Sequence, residues 1–249
     1  MTRLCLLLAA VALLAACGDQ SGGGASSQSS SAAAPVTVFA AASLTEVFPT
    51  IDPAGKYNFA GSDDLATQIQ EGSPADVYAA ASPKYPAQLH DAGLVDKPRT
   101  FASNKLVLIV PKDDPAGIKS VDDLRKKGVK LVIGAEGVPV GDYTRTVLEN
   151  MRATDVLDNV VSEEDDVKGV VSKVSLGEAD AGFVYITDVK PVENDVTAID
   201  LPEDAQARVE YQIAVVEDTK NPQGAQKFIA LVLGKKGQEA LASAGFGPP

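Results

Sequence analysis

Four short segments of this chain each place a helix start beside small or hydroxyl residues. Between Val36 and Glu46 the order is Val-Thr-Val-Phe-Ala-Ala-Ala-Ser-Leu-Thr-Glu. A short apolar strand ends in small residues. Ser43 then opens a helix with Glu46 three positions on, the spacing of a capping box. A similar arrangement recurs near Ser62, Val140 and Val167. A helix start presents backbone N–H groups that lack an intrahelical acceptor, together with a partial positive charge, so it can hold an anion without a cationic side chain. Four such starts with no cation among them point to a pocket for a small oxyanion. Each residue also has an ordinary reading. A Ser before a helix is most often only a cap. The side chains of Val140 and Val167 are packing residues, so a binding role there would belong to the backbone.

Other chemistries have less behind them. His90 is the one histidine and lies beside Asp91 in a helical stretch. A Ser-His-Asp hydrolase can be drawn from it with Ser43 or Ser62, but no spacing favours that site. There is no Gly-x-Ser-x-Gly elbow and no phosphate-binding P-loop. The run Glu163-Glu164-Asp165-Asp166 could take a cation, yet it lacks the EF-hand order. It better suits the first turn of a helix that begins at Val167. An exported hydrolase stays as the alternative to an oxyanion receptor, and no cofactor is implied by either.

The elements that must position these residues alternate along the chain. Strand-like apolar runs fall at 36–40, 57–60, 77–80, 106–111, 131–134, 181–185 and 210–216. Helical stretches fall at 43–48, 63–70, 83–91, 121–127, 141–151, 167–176 and 223–233. This alternation predicts an α/β fold with mainly parallel sheets. Ligands in such sheets sit where strand ends meet helix starts. Ser120-Val121-Asp122-Asp123 reads as a cap with acids in the first turn, and Asn221-Pro222-Gln223 as a cap followed by an N1 proline.

The ends and the composition bound the setting. Arg3 followed by an apolar run to Ala16 has the form of a secretory signal, too short to span a membrane. Its ending, Leu14-Ala15-Ala16-Cys17, resembles a bacterial lipobox, which predicts cleavage before Cys17 and a lipid on that cysteine. Residues 17–35, rich in Ser, Gly and Ala, form a flexible tether in this reading. Cys5 leaves with the signal, so the folded part has no thiol for a disulfide, a metal or a nucleophile. The net charge is −12, which leaves no basic stripe for nucleic acid and opposes long-range capture of anions. Affinity for an anion must then come from local hydrogen bonds.

Taken in order, several segments resemble one family. They are Val38-Phe39-Ala40-Ala41-Ala42-Ser43-Leu44-Thr45, Phe59-Ala60-Gly61-Ser62-Asp63-Asp64-Leu65-Ala66 and Gly72-Ser73-Pro74-Ala75-Asp76-Val77. Later come Val138-Pro139-Val140-Gly141-Asp142-Tyr143, Glu164-Asp165-Asp166-Val167-Lys168-Gly169 and Gly182-Phe183-Val184-Tyr185. They are similar to the molybdate-binding proteins, the extracytoplasmic solute receptors of molybdate ABC importers. The resemblance implies a two-lobed, periplasmic-binding-protein-like (type II) α/β fold with the ligand cleft between the lobes. It places lobe one at 36–102 plus 211–249 and lobe two at 103–210, with hinge crossings near Ser103 and Glu210. Carried residue by residue, it makes Ser43 and Ser62 donors through hydroxyl and N–H, Val140 and Val167 donors through N–H, and Tyr185 a donor through its phenol. Without the family, Tyr185 reads as a core or edge aromatic. Three positions depart from the pattern. Asp63 and Asp64 stand where small hydroxyl residues or Gly are common, and Val140 is bulkier than the usual Ala. A carboxylate aimed into an anion pocket would repel the ligand, so both Asp side chains are expected to face outward.

The implied ligand suits those donors. Molybdate and tungstate are tetrahedral dianions whose oxygens only accept hydrogen bonds, and hydroxyls can rotate to donate. Molybdenum enters only as the bound oxyanion. A protonated phosphate would lack an acceptor for its hydrogen, whereas sulfate would be rejected by size alone, which makes a sulfate receptor the nearest rival. The implied partners are a membrane permease and its ATPase, with the receptor a lipid-anchored, non-enzymatic monomer.

Overall fold

The longest apolar runs become the centres of two sheets. In the computed structural model, which describes residues 34–249, the strands in chain order are β1 (Thr37–Ala41), β2 (Lys56–Ala60), β3 (Val77–Ala80), β4 (Arg99–Asn104), β5 (Leu106–Pro111), β6 (Leu131–Gly134), β7 (Val160–Glu164), β8 (Ala181–Tyr185), β9 (Val196–Asp200) and β10 (Val209–Val215). The helices are α1 (Phe48–Ile51), α2 (Ser62–Gln70), α3 (Lys84–Asp91), α4 (Pro139–Asn150), α5 (Val167–Ser175), α6 (Ile186–Val189), α7 (Pro222–Leu233) and α8 (Lys235–Ser243). The expected signal at 1–16, the lipid-bearing Cys17 and nearly all of the tether lie outside the described residues. No helix among the described residues is long and apolar enough to cross a membrane.

One sheet has the order β2-β1-β3-β10-β4 and the other β7-β6-β8-β5-β9. Both are mixed, which corrects the expectation of mainly parallel sheets. β1 pairs in parallel with β2 and β3, and β6 with β7 and β8. β10 runs antiparallel to β3 and β4, and β5 to β8 and β9. Parallel neighbours need a crossover connection. β10 instead re-enters the first sheet from the side of the second, so it runs back against its neighbours. The molecule is two-lobed, with one sheet in each lobe and helices flanking both. The chain passes from β4 to β5 through Lys105 alone and returns between β9 and β10. The two crossings are tied together where Leu106 N–H donates to Gln206 Oε1 (3.1 Å) and Gln206 Nε2 donates to the Leu106 carbonyl (2.9 Å).

Packing follows helical periodicity. α5 buries Val167, Val170, Val171 and Val174, and α7 buries Ala225, Phe228, Ile229 and Val232, one apolar stripe in each. Ser120 is a cap as expected and forms a capping box with Asp123, although the segment they start, Val121–Arg125, is a 3-10 helix. Asn221 caps α7 by accepting from Gly224 N–H, with Pro222 in the first turn. Beside the first sheet, Phe48 meets Phe228 edge-on at 5.4 Å and Phe101 at 5.9 Å. Phe228→Ala would empty this buried cluster, and urea unfolding is expected to show a loss of about 3–5 kcal/mol.

Candidate anion-binding site

The structure brings Ser43, Ser62, Val140, Val167 and Tyr185 to one small cavity between the two sheets. Its remaining walls are mostly small or apolar, among them Ala41, Ala42, Ala60, Gly61 and Ala81, with Asp166 at one side. The cavity volume is about 20 Å³, on a scale where one water needs roughly 10–15 Å³. That admits one small polyatomic ion and no sizeable organic solute.

Each predicted donor is held differently. Ser43 does not open a long helix. It lies inside a short 3-10 turn, Ala42–Leu44, whose N-cap is Ala41 and which has no side-chain cap. The expected capping box with Glu46 is therefore absent, because the Ser43 hydroxyl is taken by a distant partner. Its Oγ sits 2.8 Å from the Tyr211 hydroxyl. Ser62 is the first residue of α2, behind Gly61. Its Oγ accepts from Ala81 N–H at 3.1 Å, which leaves its own proton free to point elsewhere. Its carbonyl accepts from the Tyr78 hydroxyl at 2.6 Å.

Val140 follows Pro139 in the first turn of α4, and Val167 begins α5. Both side chains are buried, so the backbone carries what these positions offer. α4 starts hard against the end of β6. A Cβ on Gly141 would stand 2.2 Å from the Ala135 carbonyl oxygen, so only glycine allows that approach. The acid run before α5 does not form its first turn. Glu163 and Glu164 end β7, and Asp166 is the N-cap, accepting from Gly169 N–H at 3.0 Å. Its carboxylate serves the helix although the residue borders the cavity. Among the described residues no three His, Cys, Asp or Glu side chains converge as a metal site.

Tyr185 ends β8 with its hydroxyl enclosed and without a hydrogen-bond partner in the protein. Burial, with lesser contributions from Tyr211, Tyr143 and Asp188, holds this phenol well above its ordinary pKa. It stays a neutral donor at any physiological pH. Two further residues matter here: Asp166, which the sequence reading placed in a first helical turn and the structure makes the cap, and Tyr211, which it passed over. The Asp-x-x-Gly spacing of a helix cap signalled the first; nothing local signalled the second.

The carboxylates are distributed unevenly. Asp64 is exposed as expected, but Asp63 is half-buried, with Oδ1 enclosed and unpartnered. Burial raises its pKa, with backbone N–H groups at the start of α2 opposing. Neither side chain borders the cavity. Asp188 is buried, 3.1 Å from Lys168 Nζ. Burial pushes it up to about 6 from 3.8, against the pull of the Lys168 charge. His90 belongs to α3, where its Nδ1–H donates to the Val95 carbonyl at 3.1 Å, and it does not border the cavity. A Ser-His-Asp arrangement with Ser43 or Ser62 is thus not assembled.

Contacts across the cleft hold the two lobes together near the cavity. The Tyr85 hydroxyl on α3 donates to the Gly137 carbonyl at 2.5 Å, and Lys84 pairs with Asp142 at 3.0 Å. A Cβ on Gly61 would come 2.5 Å from the Asp165 carbonyl oxygen, so the backbones of the two lobes meet at a position that only glycine permits.

A two-lobed fold whose cleft holds a small cavity bordered by helix starts and hydroxyl side chains defines a class of solute-binding proteins. The family described as "Bacterial extracellular solute-binding protein" matches residues 36–247. Within it, the chain is 38% identical over 224 residues to the molybdate-binding protein ModA of Mycobacterium tuberculosis, covering 86% of this chain and 85% of that one. It is 33% identical over 202 residues to the molybdate-binding protein ModA of Escherichia coli, covering 75% and 79%. The solved periplasmic molybdate-binding protein of Azotobacter vinelandii shares the fold, with a TM-score of 0.76 at 21% identity over 86% of this chain and 99% of that one. The chain belongs to the bacterial extracellular solute-binding proteins, in their ModA-like group, and these are transport proteins rather than enzymes.

Two outcomes follow from this geometry. Gly61→Ala should obstruct closure while leaving each lobe folded, so titration calorimetry should show oxyanion affinity reduced at least about tenfold with the urea midpoint little changed. Asp188 holds a proton in the folded state that the unfolded chain releases above its ordinary pKa. Its contribution therefore falls as pH rises from 3.8 to about 6 and its cost is full above that. Asp188→Asn should gain stability over the wild type across that window, by at most about 3 kcal/mol, in urea unfolding followed against pH.

Proposed function

We propose that this chain is the extracytoplasmic receptor of a molybdate importer. It binds molybdate, and tungstate as well, as a tetrahedral dianion, and hands it to a membrane permease driven by its ATPase. The ligand is held by the hydroxyls of Ser43, Ser62 and Tyr185 and by the backbone N–H groups of Ser43, Ser62, Val140 and Val167. The observation that carries this reading is the Tyr185 hydroxyl, a buried neutral donor without an acceptor in the protein, facing a cavity the size of one small ion. The relatives named for molybdate binding support the choice of ion.

The donors suit a fully ionised oxyanion. Hydrogen bonds to a charged acceptor are worth roughly 1.5–3 kcal/mol each, and backbone donors at helix starts need little ordering on binding. Closure by hinge motion removes the ion from water. We take lobe one as 36–102 plus 211–249 and lobe two as 103–210. The pairing of β4 with β10 out to Asn104 and Val209 supports setting the cuts about two residues later in the first crossing and earlier in the second. Cys17 would carry the lipid that keeps the monomeric receptor at the membrane, with 17–35 as its tether.

Titration calorimetry with molybdate, tungstate, sulfate and phosphate tests the ligand. One tight site for molybdate and tungstate, with little or no binding of sulfate and phosphate, is expected; a preference for sulfate would replace the ligand and keep the mechanism. Tyr185→Phe keeps the ring and removes the donor. It should weaken molybdate binding about tenfold or more without lowering the unfolding midpoint, and unchanged affinity would remove Tyr185 from the site.

A further inference from the structure

Ser43 can serve an anion only if its hydroxyl proton points into the cavity, and a hydroxyl rotates freely unless something occupies its lone pairs. Its partner is Tyr211, on β10, 2.8 Å away and wholly buried. Tyr211 in turn lies 3.3 Å from Asn104 Nδ2. The orientation of that amide follows from its surroundings. Asn104 Oδ1 accepts from Lys105 N–H at 2.9 Å, which turns Nδ2 toward Tyr211 and toward Thr187 Oγ1 at 3.0 Å.

An amide nitrogen only donates, so the Tyr211 oxygen accepts from Asn104 and directs its single proton to Ser43 Oγ. Ser43 then accepts from Tyr211, and its own proton is left for the cavity. We infer that Asn104 and Tyr211 are positioning residues that set the direction of a hydrogen-bond chain, Asn104 to Tyr211 to Ser43, and so make Ser43 a donor to the bound oxyanion. This rests on the oxyanion reading of the cavity.

Its location gives the chain a second property. Asn104 is the last residue of β4, immediately before the crossing at Lys105, and Thr187 lies just beyond β8 in the other sheet. The same amide therefore touches both lobes at the hinge while it orders a ligand group in the cleft. Ser62 reaches the same polarity by a local route, through Ala81 N–H. Tyr211 packs edge-on against Phe101, Tyr185 and Phe246 at 5.9, 5.9 and 5.3 Å, contacts that a phenylalanine would keep.

Two substitutions act on direction more than on packing. Tyr211→Phe frees the Ser43 hydroxyl to turn. Asn104→Asp replaces a donor by an acceptor of the same shape. Tyr211 would then donate to the carboxylate, Ser43 would donate to Tyr211, and the Ser43 lone pairs would face the anion.

The test is a pair of double-mutant cycles by titration calorimetry on the full chain, with sodium molybdate and with whichever other oxyanion the wild type binds tightest. Tyr211→Phe should weaken binding about tenfold or more, and Asn104→Asp should weaken it further. In a Ser43→Ala background each should lose most of its effect, because the group they orient is gone. Tyr211→Phe should also lower the preference for molybdate over hydrogen phosphate, since a Ser43 free to turn can accept the phosphate proton. Equal effects of Tyr211→Phe with and without Ser43 would overturn the chain and leave Tyr211 a packing residue. A loss in Asn104→Asp that persists undiminished without Ser43 would mean charge repulsion instead. A wild type that binds no oxyanion would overturn both the receptor reading and the chain, whereas tight wild-type binding with additive cycles would overturn the chain alone.

Discussion

A buried hydroxyl with no acceptor is the constraint on which the rest of this structure turns. Tyr185 borders the cavity with its phenol buried and unpartnered, and burial keeps it protonated. Leaving a buried polar group unsatisfied costs roughly 1–3 kcal/mol, so the surrounding framework must hold it there. That framework is the all-apolar β5, whose side chains are buried from end to end, paired along Tyr185's own strand. An acceptor supplied from outside recovers the cost. In the proposed receptor that penalty becomes part of the preference for an acceptor-only ion.

On the oxyanion reading the same demand accounts for a cavity lined without lysine or arginine and for the engagement of the one carboxylate residue that borders it. A lysine or arginine in the cavity would attract any anion and bring its own hydration. Oriented neutral donors instead distinguish an ion that only accepts from one that also carries a proton. Asp166 borders the cavity, yet its carboxylate is engaged by Gly169 N–H at the start of α5. Asp188, which burial lifts to about 6, faces Lys168 and does not border the cavity. Small residues then let the lobes meet. Gly61 against Asp165 is a backbone-to-backbone approach between the lobes that any side chain would block, and Gly141 against Ala135 is a similar approach within lobe two that seats the start of α4.

Much of the fold was legible in single segments, and the misses share a cause. The runs at 77–80, 106–111, 131–134 and 181–185 are strands buried throughout, so their apolar character is continuous. The strands that sequence patterning passed over are β4, β7 and β9, and each lies at the edge of its sheet. An edge strand has one side toward solvent and carries polar residues, as in Val160–Glu164, where none of the five residues is fully buried. α8 was missed for a similar reason: it buries only Gly237 and Leu241, too few to make an apolar stripe.

The sequence by itself determined which backbone segments could end in donors: small residues after β1, a glycine before Ser62, a proline before Val140 and an aspartate before Val167. Those are local choices, set by φ/ψ freedom, caps and the absence of bulky side chains. It also determined, through resemblance, the set of residues gathered in the cleft. Only the tertiary structure decided what each group does there. Ser43 looked like a capping residue because its neighbours have the spacing of a capping box, yet its partner is 168 positions away in the chain. Whether a hydroxyl donates or accepts depends on which lone pairs are already taken. That is set by contacts between strands that meet only when the chain has crossed from one sheet to the other and back.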